Sequence, residues 1–471
     1  MMKKITLIIA FVALSVTPAL SQCPPYGAVF MSQEEIDNFP VVYPGCISIT
    51  GNINIDGSNN SITNLNGLSS IQSIGQHLEI TNTSLRSLEG LASLKYIGNN
   101  LNINNNPLLV SLDGIEALTN VGGSLKIVSN ESLVSIGSLQ ALTILNRDVS
   151  INMNPSLVNL YGMENITKIE GYFDLYMNNS LSSMVGLEKL TSIGGLGIEQ
   201  NASLSSLEGL NSLSSLGTLL IQNSELSSFH GIDQLTTLQG IFYCKNNPNL
   251  VNFSGLENLT AIEHKLVIAN NGNLVNFTGL DNLKSIKLKL EIVENTKLEN
   301  INALSNTKLI TGLIKLNDNP ALTSISGIGN ISAADIDSLH IGNNSLLAHC
   351  EIQSVCDYLA LPNAATDIYS NAEGCNNVIE IDSACQASDI SEIQFSDWYS
   401  IYPVPADDIL HITVYNNHKI DKIAIYNQLG QTAISIQPGN SELDISNLKS
   451  GLYIIEIVGG DIKLRNRLIV R

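Results

Sequence analysis

From about residue 47 to residue 349 the apolar positions of this chain return every 23–24 residues, a period that marks stacked repeats. The shared phrase is SLxGLxxLxxIGxxLxIxxN. Its small residue falls at Gly67, Gly90, Gly114, Ser138, Gly162, Gly186, Gly209, Gly231, Gly255, Gly279, Ala303 and Gly327, at intervals of 23, 24, 24, 24, 24, 23, 22, 24, 24, 24 and 24 residues. Within one turn the apolar residues are Leu94, Ile97, Leu101, Ile103, Leu109 and Leu112; one turn later they are Leu118, Val121, Leu125, Ile127, Leu133 and Ile136. Pairs two apart, such as Leu101/Ile103 and Leu266/Ile268, predict short strands with both side chains directed inward. The other apolar residues stand three apart, too brief a pattern for a stable α-helix and suited to tight bends. Each turn should therefore wrap round an apolar column, and stacking by parallel strand pairing at about 4.8 Å predicts a rod roughly 55–60 Å long.

Polar positions repeat as well. After the strands come NNNP (104–107), NMNP (152–155), KNNP (245–248) and NDNP (317–320). Asn side chains can satisfy backbone groups at a sharp corner, and Pro fixes the bend that follows. Cys244 falls on the inward strand position held elsewhere by Ile103 and Ile268, which predicts a buried, inert thiol. The outward residues between the inward pairs read Asn54, Glu79, Asn102, Lys126, Ser150, Asp174, Gly197, Val267, Glu291, Lys315 and His340. They show no run of Asp, no Arg/Lys cluster and no aromatic ladder. Asp174 and Glu199, on neighbouring turns and flanked by Tyr172 and Tyr176, are the best acid pair available for general acid–base chemistry. The seven histidines are scattered, and no HExxH, GxSxG or phosphate-loop pattern occurs. The chain is expected not to be an enzyme and to need no cofactor. The weak surface-binding candidates are Asp174, Tyr176, Glu199 and Tyr243.

The ends of the chain differ from the repeats. Residues 1–21 read as a secretory signal, with Lys3 and Lys4 before an apolar stretch from Ile5 to Val16 and small residues in Ala19-Leu20-Ser21. That stretch is too short to span a bilayer, and no later segment reaches about 20 apolar residues. Seven cysteines stand at 23, 46, 244, 350, 356, 375 and 385, and in an exported chain clustered cysteines imply disulfides. Cys23 and Cys46 bracket an N-terminal cap, residues 22–46. Cys350, Cys356, Cys375 and Cys385 lie in a C-terminal cap, residues 350–385, where residues 351–361 have helical character. Four cysteines allow three connectivities; Cys350–Cys375 with Cys356–Cys385 is the working expectation. A zinc site using His349, Cys350 and Cys356 is the alternative.

Past a short linker at 386–395 the pattern changes to alternating strands. HITVYN (411–416), KIAIYN (422–427) and GLYIIEI (451–457) are separated by turn residues such as Gly430 and Pro438-Gly439. They predict a small antiparallel β-sandwich over residues 396–471, which also holds the single tryptophan, Trp398. The net charge of −20 becomes −22 without Lys3 and Lys4. Such a surface repels nucleic acid and anionic lipid and leaves a cation, a basic partner or simple solubility.

Two resemblances follow. The phrase GL…L…IG…L.I..N at this period resembles the leucine-rich repeats of the receptor L-domain type found in secreted Bacteroidota proteins. That resemblance implies a mainly β fold, a right-handed parallel β-solenoid that binds ligands through exposed faces. The C-terminal words resemble the type A sorting domain of the type IX secretion system. They are Tyr402-Pro403-Val404-Pro405-Ala406, Ile425-Tyr426-Asn427 with Leu429-Gly430-Gln431, Leu443-Asp444-Ile445 with Leu448, Ser450-Gly451-Leu452-Tyr453, and the basic 463–471. The family's usual Asn between the prolines is Val404 here. This second resemblance implies passage through the periplasm and outer membrane of a Gram-negative bacterium. The secretion machinery and its C-terminal signal peptidase would be partners, and the mature chain would be attached to surface lipopolysaccharide or released. Asp337-Ser338-Leu339 and Asp382-Ser383-Ala384 resemble the O-glycosylation triplet of the same phylum. The reading from sequence is an exported adhesion or binding module for a protein, or less readily a glycan. A rigid spacer without a dedicated ligand is the alternative, and a polysaccharide-acting enzyme the remote one.

Overall fold

The computed structural model describes residues 23–59, 61–388, 399–415, 419–427, 430–436, 442–459 and 462–471. The signal segment 1–21 and Trp398 lie outside them, as do Leu429 and most of the linker. The chain divides into two compact units, one ending at Asp382 and the other beginning at Ser383.

The first unit is a continuous parallel ladder, one strand per turn. It is longer at both ends than the repeat phrase. It begins inside the N-terminal cap, where Gly27–Phe30 pairs with Asn52–Asp56, and ends inside the C-terminal cap, where Thr366–Tyr369 pairs with Ile336–Gly342. From Ile53/Ile55 to Leu339/Ile341 the inward pairs are buried, so the alternation of strand side chains is what builds the column. Short strands on a second side of each turn pair separately in the first turns, Ser48–Ile49 through Asn120–Val121. In Lys168–Tyr176, Ser192–Glu199 and Ser215–Gln222 the two sides fuse into single long strands.

The three-residue spacing of the remaining apolar positions resolves into two backbone forms of one turn. At Gly67, Gly90, Ser138, Ala303 and Gly327 the small residue sits in a short 3-10 helix. At the other seven positions a glycine holds φ between +101° and +112°, which L side chains avoid. Ser and Ala appear only in the first form. In the second form the glycine N–H donates to the side chain two residues on: Glu116, Glu164, Glu188, Asn211, Asp233, Glu257 or Asp281. Six of these seven acceptors are carboxylates, so part of the acidity that read as solubility belongs to the turn.

A Cβ on Gly186 would also overlap the Leu160 carbonyl of the turn before. Gly186→Ala is expected to destabilise the array by about 2–3 kcal/mol through strain and overlap. Ala303→Gly, in the 3-10 form, should cost under about 1 kcal/mol. Denaturant unfolding of the two variants measures the contrast, and equal losses would show that the two turn forms are not distinct.

The asparagines divide their work. One residue per turn, including Asn105, Asn246 and Asn270, adopts φ between +49° and +59°, a region Asn tolerates better than most residues. The next residue is a fully buried Asn: Asn106, Asn130, Asn154, Asn178, Asn201, Asn247, Asn271, Asn295, Asn319 and Asn344. Each donates through Nδ2 to a strand carbonyl one turn back, as Asn130 does to Ile103 at 3.1 Å. In most turns its Oδ1 accepts the N–H of the preceding ladder residue, as Asn130 Oδ1 does from Asn106 at 3.1 Å. Thr83 and Ser224 replace Asn where the run to the small residue is seven residues and not eight. There the hydroxyl accepts the N–H two residues on, from Leu85 at 3.4 Å and Leu226 at 3.3 Å. A shorter corner thus takes a shorter side chain.

Both ends are capped. Helix Gln33–Val42, N-capped by Ser32 accepting from the Glu35 N–H at 3.3 Å, buries Ile36 and Phe39 over the first turn, and Cys23 is bonded to Cys46. At the other end the expected helix is Gln353–Leu359. Cys350 is bonded to Cys375, and Cys356 and Cys385 are also in disulfides. The zinc alternative therefore fails for want of thiolates, and His349 instead meets Glu351 at 2.9 Å. Cys244 is free and fully buried. Burial pushes its thiol up to about 12, against the Asn247 amide donating to Sγ at 3.2 Å.

The second unit is a sandwich of two antiparallel sheets. Tyr399–Tyr402, Ile409–Val414 and Glu442–Asp444 form one. Thr432–Ile436, Lys422–Tyr426, Gly451–Gly459 and Ile462–Val470 form the other. Tyr399, Leu410, Ile425, Ile455, Ile457 and Leu468 are among the residues of the core between them.

Candidate binding face and sorting domain

The outward side chains of the long ladder make one surface of three columns. Its central column runs Val29, Asn54, Glu79, Asn102, Lys126, Ser150, Asp174, Gly197, Leu220, Tyr243, Val267, Glu291, Lys315, His340 and Asp367. The outward series read from sequence passed from Gly197 to Val267 and so missed Leu220 and Tyr243. It named Lys315 but not Lys245, Lys265 and Lys289, which stand with it on successive strands of this face. Leu220 follows Gly209 by 11 residues where Lys126 follows Gly114 by 12, so a fixed spacing from the small residue passes over it.

Near the middle the face becomes apolar. Tyr172, Tyr176, Leu220, Ile241, Tyr243 and Val267 are all half-buried there, while the first turns present Asn, Ser, Thr and charge. The Tyr172 ring does not stand up from its own strand. It lies across the next one, over Gly195 and Gly197, where any Cβ would overlap it. Those glycines leave a notch that the ring fills. Tyr176 and Tyr243 are three strands apart, roughly 14 Å at about 4.8 Å per strand.

Asp174 and Glu199 are not directly opposed. Asp174 is in register with Gly197, and Glu199 with Tyr176. Asn152 Nδ2 donates to Asp174 at 2.7 Å, and Glu199 accepts from Gln222 at 3.2 Å and Asn223 at 3.4 Å. Burial, then the charges of Asp174 and Glu199, push the Tyr172 hydroxyl far above its ordinary range. The tyrosine stays neutral beside the two carboxylates. Further along, Glu291 meets Lys289 at 2.6 Å and Lys315 at 3.4 Å; burial opposes its ionisation, but these lysines hold its carboxyl below the usual range. Of the two glycosylation candidates, Ser338 is half-buried on the face and Ser383 is exposed on helix Val378–Ser388. Among the described residues no group of His, Cys, Asp and Glu could hold a metal.

In the sandwich the words noted in the sequence fall on its seams. Ala406 is buried, donates to the Ile469 carbonyl at 2.7 Å and accepts from Arg471 at 2.9 Å, so the segment with Tyr402, Pro403 and Pro405 is tied to the last strand. The Tyr402 ring stacks on His411 with centroids 5.0 Å apart. Gly430, at φ +75°, turns the chain between two strands, and its N–H donates to the Asn427 carbonyl at 2.9 Å. Gly451 opens the strand Gly451–Gly459, and the Tyr453 hydroxyl donates to the Lys449 carbonyl at 2.9 Å. Glu456 is only 2% exposed. It accepts from Arg465 at 2.7 and 2.8 Å and from the Tyr426 hydroxyl at 3.1 Å. Burial works against its charge, but Arg465 and Tyr426 hold the carboxyl below its ordinary range. The basic terminal stretch thus sits in a fixed network.

This second unit matches, over residues 400–471, the family model of the secretion system C-terminal sorting domain. The chain carries a secretion sorting domain. That domain directs the protein to secretion or to the cell surface and implies contact with the secretion machinery. Among the described residues no helix is long and apolar enough to cross a membrane. Residues 45–111 match the receptor L domain model, and the ladder continues in register well beyond that matched stretch. No curated protein matches the chain.

Proposed function

We propose that the repeat array is a binding module without catalytic activity, exported by its leader, delivered by the sorting domain and adhering to protein partners through the middle of its sheet face. The supporting observation is the apolar band of Tyr172, Tyr176, Leu220, Ile241, Tyr243 and Val267, which gathers three tyrosines and three aliphatic side chains in the middle of the face. Half-buried aromatics beside aliphatics supply desolvation energy at protein contacts. Leu220, Ile241 and Val267 give no hydrogen bonds to sugar hydroxyls, which favours protein over glycan. On this reading the sorting domain is removed by the C-terminal signal peptidase at the surface.

The test is adhesion of cells displaying the protein to protein-coated surfaces. Tyr176→Ala/Tyr243→Ala should reduce it about tenfold or more, with unfolding unchanged. Val110→Ala/Val134→Ala, at exposed positions off the face, should leave it intact. Adhesion that ignores both changes would make the array a spacer.

A further inference from the structure

The charges on the face are distributed by end. Count outward from the strand Ser215–Gln222. The three strands before it carry Asp148, Asp174 and Glu199 on the face and no cation. The three strands after it carry Lys245, Lys265 and Lys289, with Glu291 as the single acid. Between these halves lies the apolar band. A surface of this kind complements its own reverse.

We propose that the partner of this face is a second copy of the chain, bound through a two-fold axis running along the strand Ser215–Gln222. The inference rests on the binding-module reading above. A two-fold interface is isologous, so every contact occurs twice. One strand out from the axis, Glu199 meets Lys245; both stand in the column of Gln222. In the same layer the Tyr172 ring, lying over Gly195 and Gly197, meets Ile241 and Tyr243. Two strands out, Asp174 faces Val267 with Lys265 beside it. Three strands out, Asp148 meets Lys289. On the axis Leu220 packs against Leu220. Two like-charge meetings fall outside the central strands, Lys126 with Lys315 and Glu79 with Asp367, and Lys315 already pairs with Glu291 at 3.4 Å.

Area decides the strength. Seven strands at about 4.8 Å and five residues at about 3.3 Å give a footprint of roughly 550 Å2 per copy, below the ~800 Å2 of a stable complex. A single pair should therefore be weak. Many copies on facing cells would add by avidity, which suits adhesion between cells that carry the same protein.

Sedimentation of the secreted chain from about 1 to about 300 μM should show dimers with Kd in the tens of micromolar. Association should weaken about tenfold or more from ~0.05 to ~0.5 M salt. Glu199→Lys alone and Lys245→Glu alone should each weaken it by at least about tenfold. An equimolar mixture of these two variants should recover association, because both symmetry-related contacts then pair opposite charges. Misfolded chains could not complement in this way. A chain that is monomeric throughout, or a mixture no better than either variant, overturns the proposal. If the monomeric chain still loses adhesion in Tyr176→Ala/Tyr243→Ala, only the self-recognition is wrong; if adhesion ignores that change too, the binding-module reading falls with it.

Discussion

Replacing Asn271 by alanine is expected to destabilise the array by about 4–6 kcal/mol, through one stranded N–H and three further lost hydrogen bonds. Asn271 is fully buried. Its Oδ1 accepts from the Asn247 N–H at 3.0 Å and from Asn247 Nδ2 at 3.1 Å, and its Nδ2 donates to the Cys244 carbonyl at 3.1 Å and to Asn295 Oδ1 at 3.4 Å. Alanine offers none of these, and the surrounding wall is apolar, so the Asn247 N–H is left without an acceptor. A buried N–H without a partner costs roughly 1–3 kcal/mol, and each lost hydrogen bond about 1. Asn270→Ala is the control. Asn270 is exposed and donates to Asn246 Oδ1 at 2.7 Å, so its loss should cost under about 1 kcal/mol. Because neighbouring turns support one another in a linear array, the lesion at Asn271 should also broaden the transition. Denaturant unfolding followed by circular dichroism gives both numbers, and equal losses in the two variants would mean that solvent reaches the ladder.

The parts of this molecule that sequence makes legible are the ones that repeat. Leu101/Ile103 and their equivalents state the strand, its inward face and the period of the turns, because burial selects the same side chain each time; the strands added inside the two caps lack the phrase and are not stated. The sorting words state the sandwich for a similar reason: Ala406, Gly430 and Tyr453 each serve a local backbone need. The ladder was half legible. Asn at corners was expected, but the division between a left-handed Asn and a buried one depends on which residue turns inward. The acids two residues after glycine were read as surface charge, since only the backbone shows that Gly186 N–H donates to Glu188 at 2.9 Å. The candidate face was the least legible part. Tyr172 and Gly197 are 25 residues apart in sequence and acquire meaning together only when register lays one across the other. Leu220, 11 residues after Gly209 where Lys126 is 12 after Gly114, escapes a fixed-period reading, and Tyr243, although named as a candidate, gains its place at the centre of the band only from the register.

Ending the chain at Ser388 should abolish delivery to the cell surface while leaving the array folded. The position of the cut follows from the structure. Cys385 is disulfide-bonded and sits on helix Val378–Ser388, so a chain stopped at residue 382, where the two compact units divide, would leave the cap with an unpaired thiol. Beyond Ser388 nothing removed belongs to the ladder, whose last strand is Thr366–Tyr369. The sandwich keeps its own core around Ile425, Ile455 and Leu468. Surface protease accessibility in the native type of host separates the two properties. The full-length chain should be cleaved by added protease on intact cells and the shortened chain should not, although after lysis the same protease cuts both chains at the same rate. A shortened chain that still reaches the surface would show that the sandwich is not the delivery signal. A shortened chain that is cut much faster than the full-length chain in the lysate would show instead that the array depends on the sandwich for its fold.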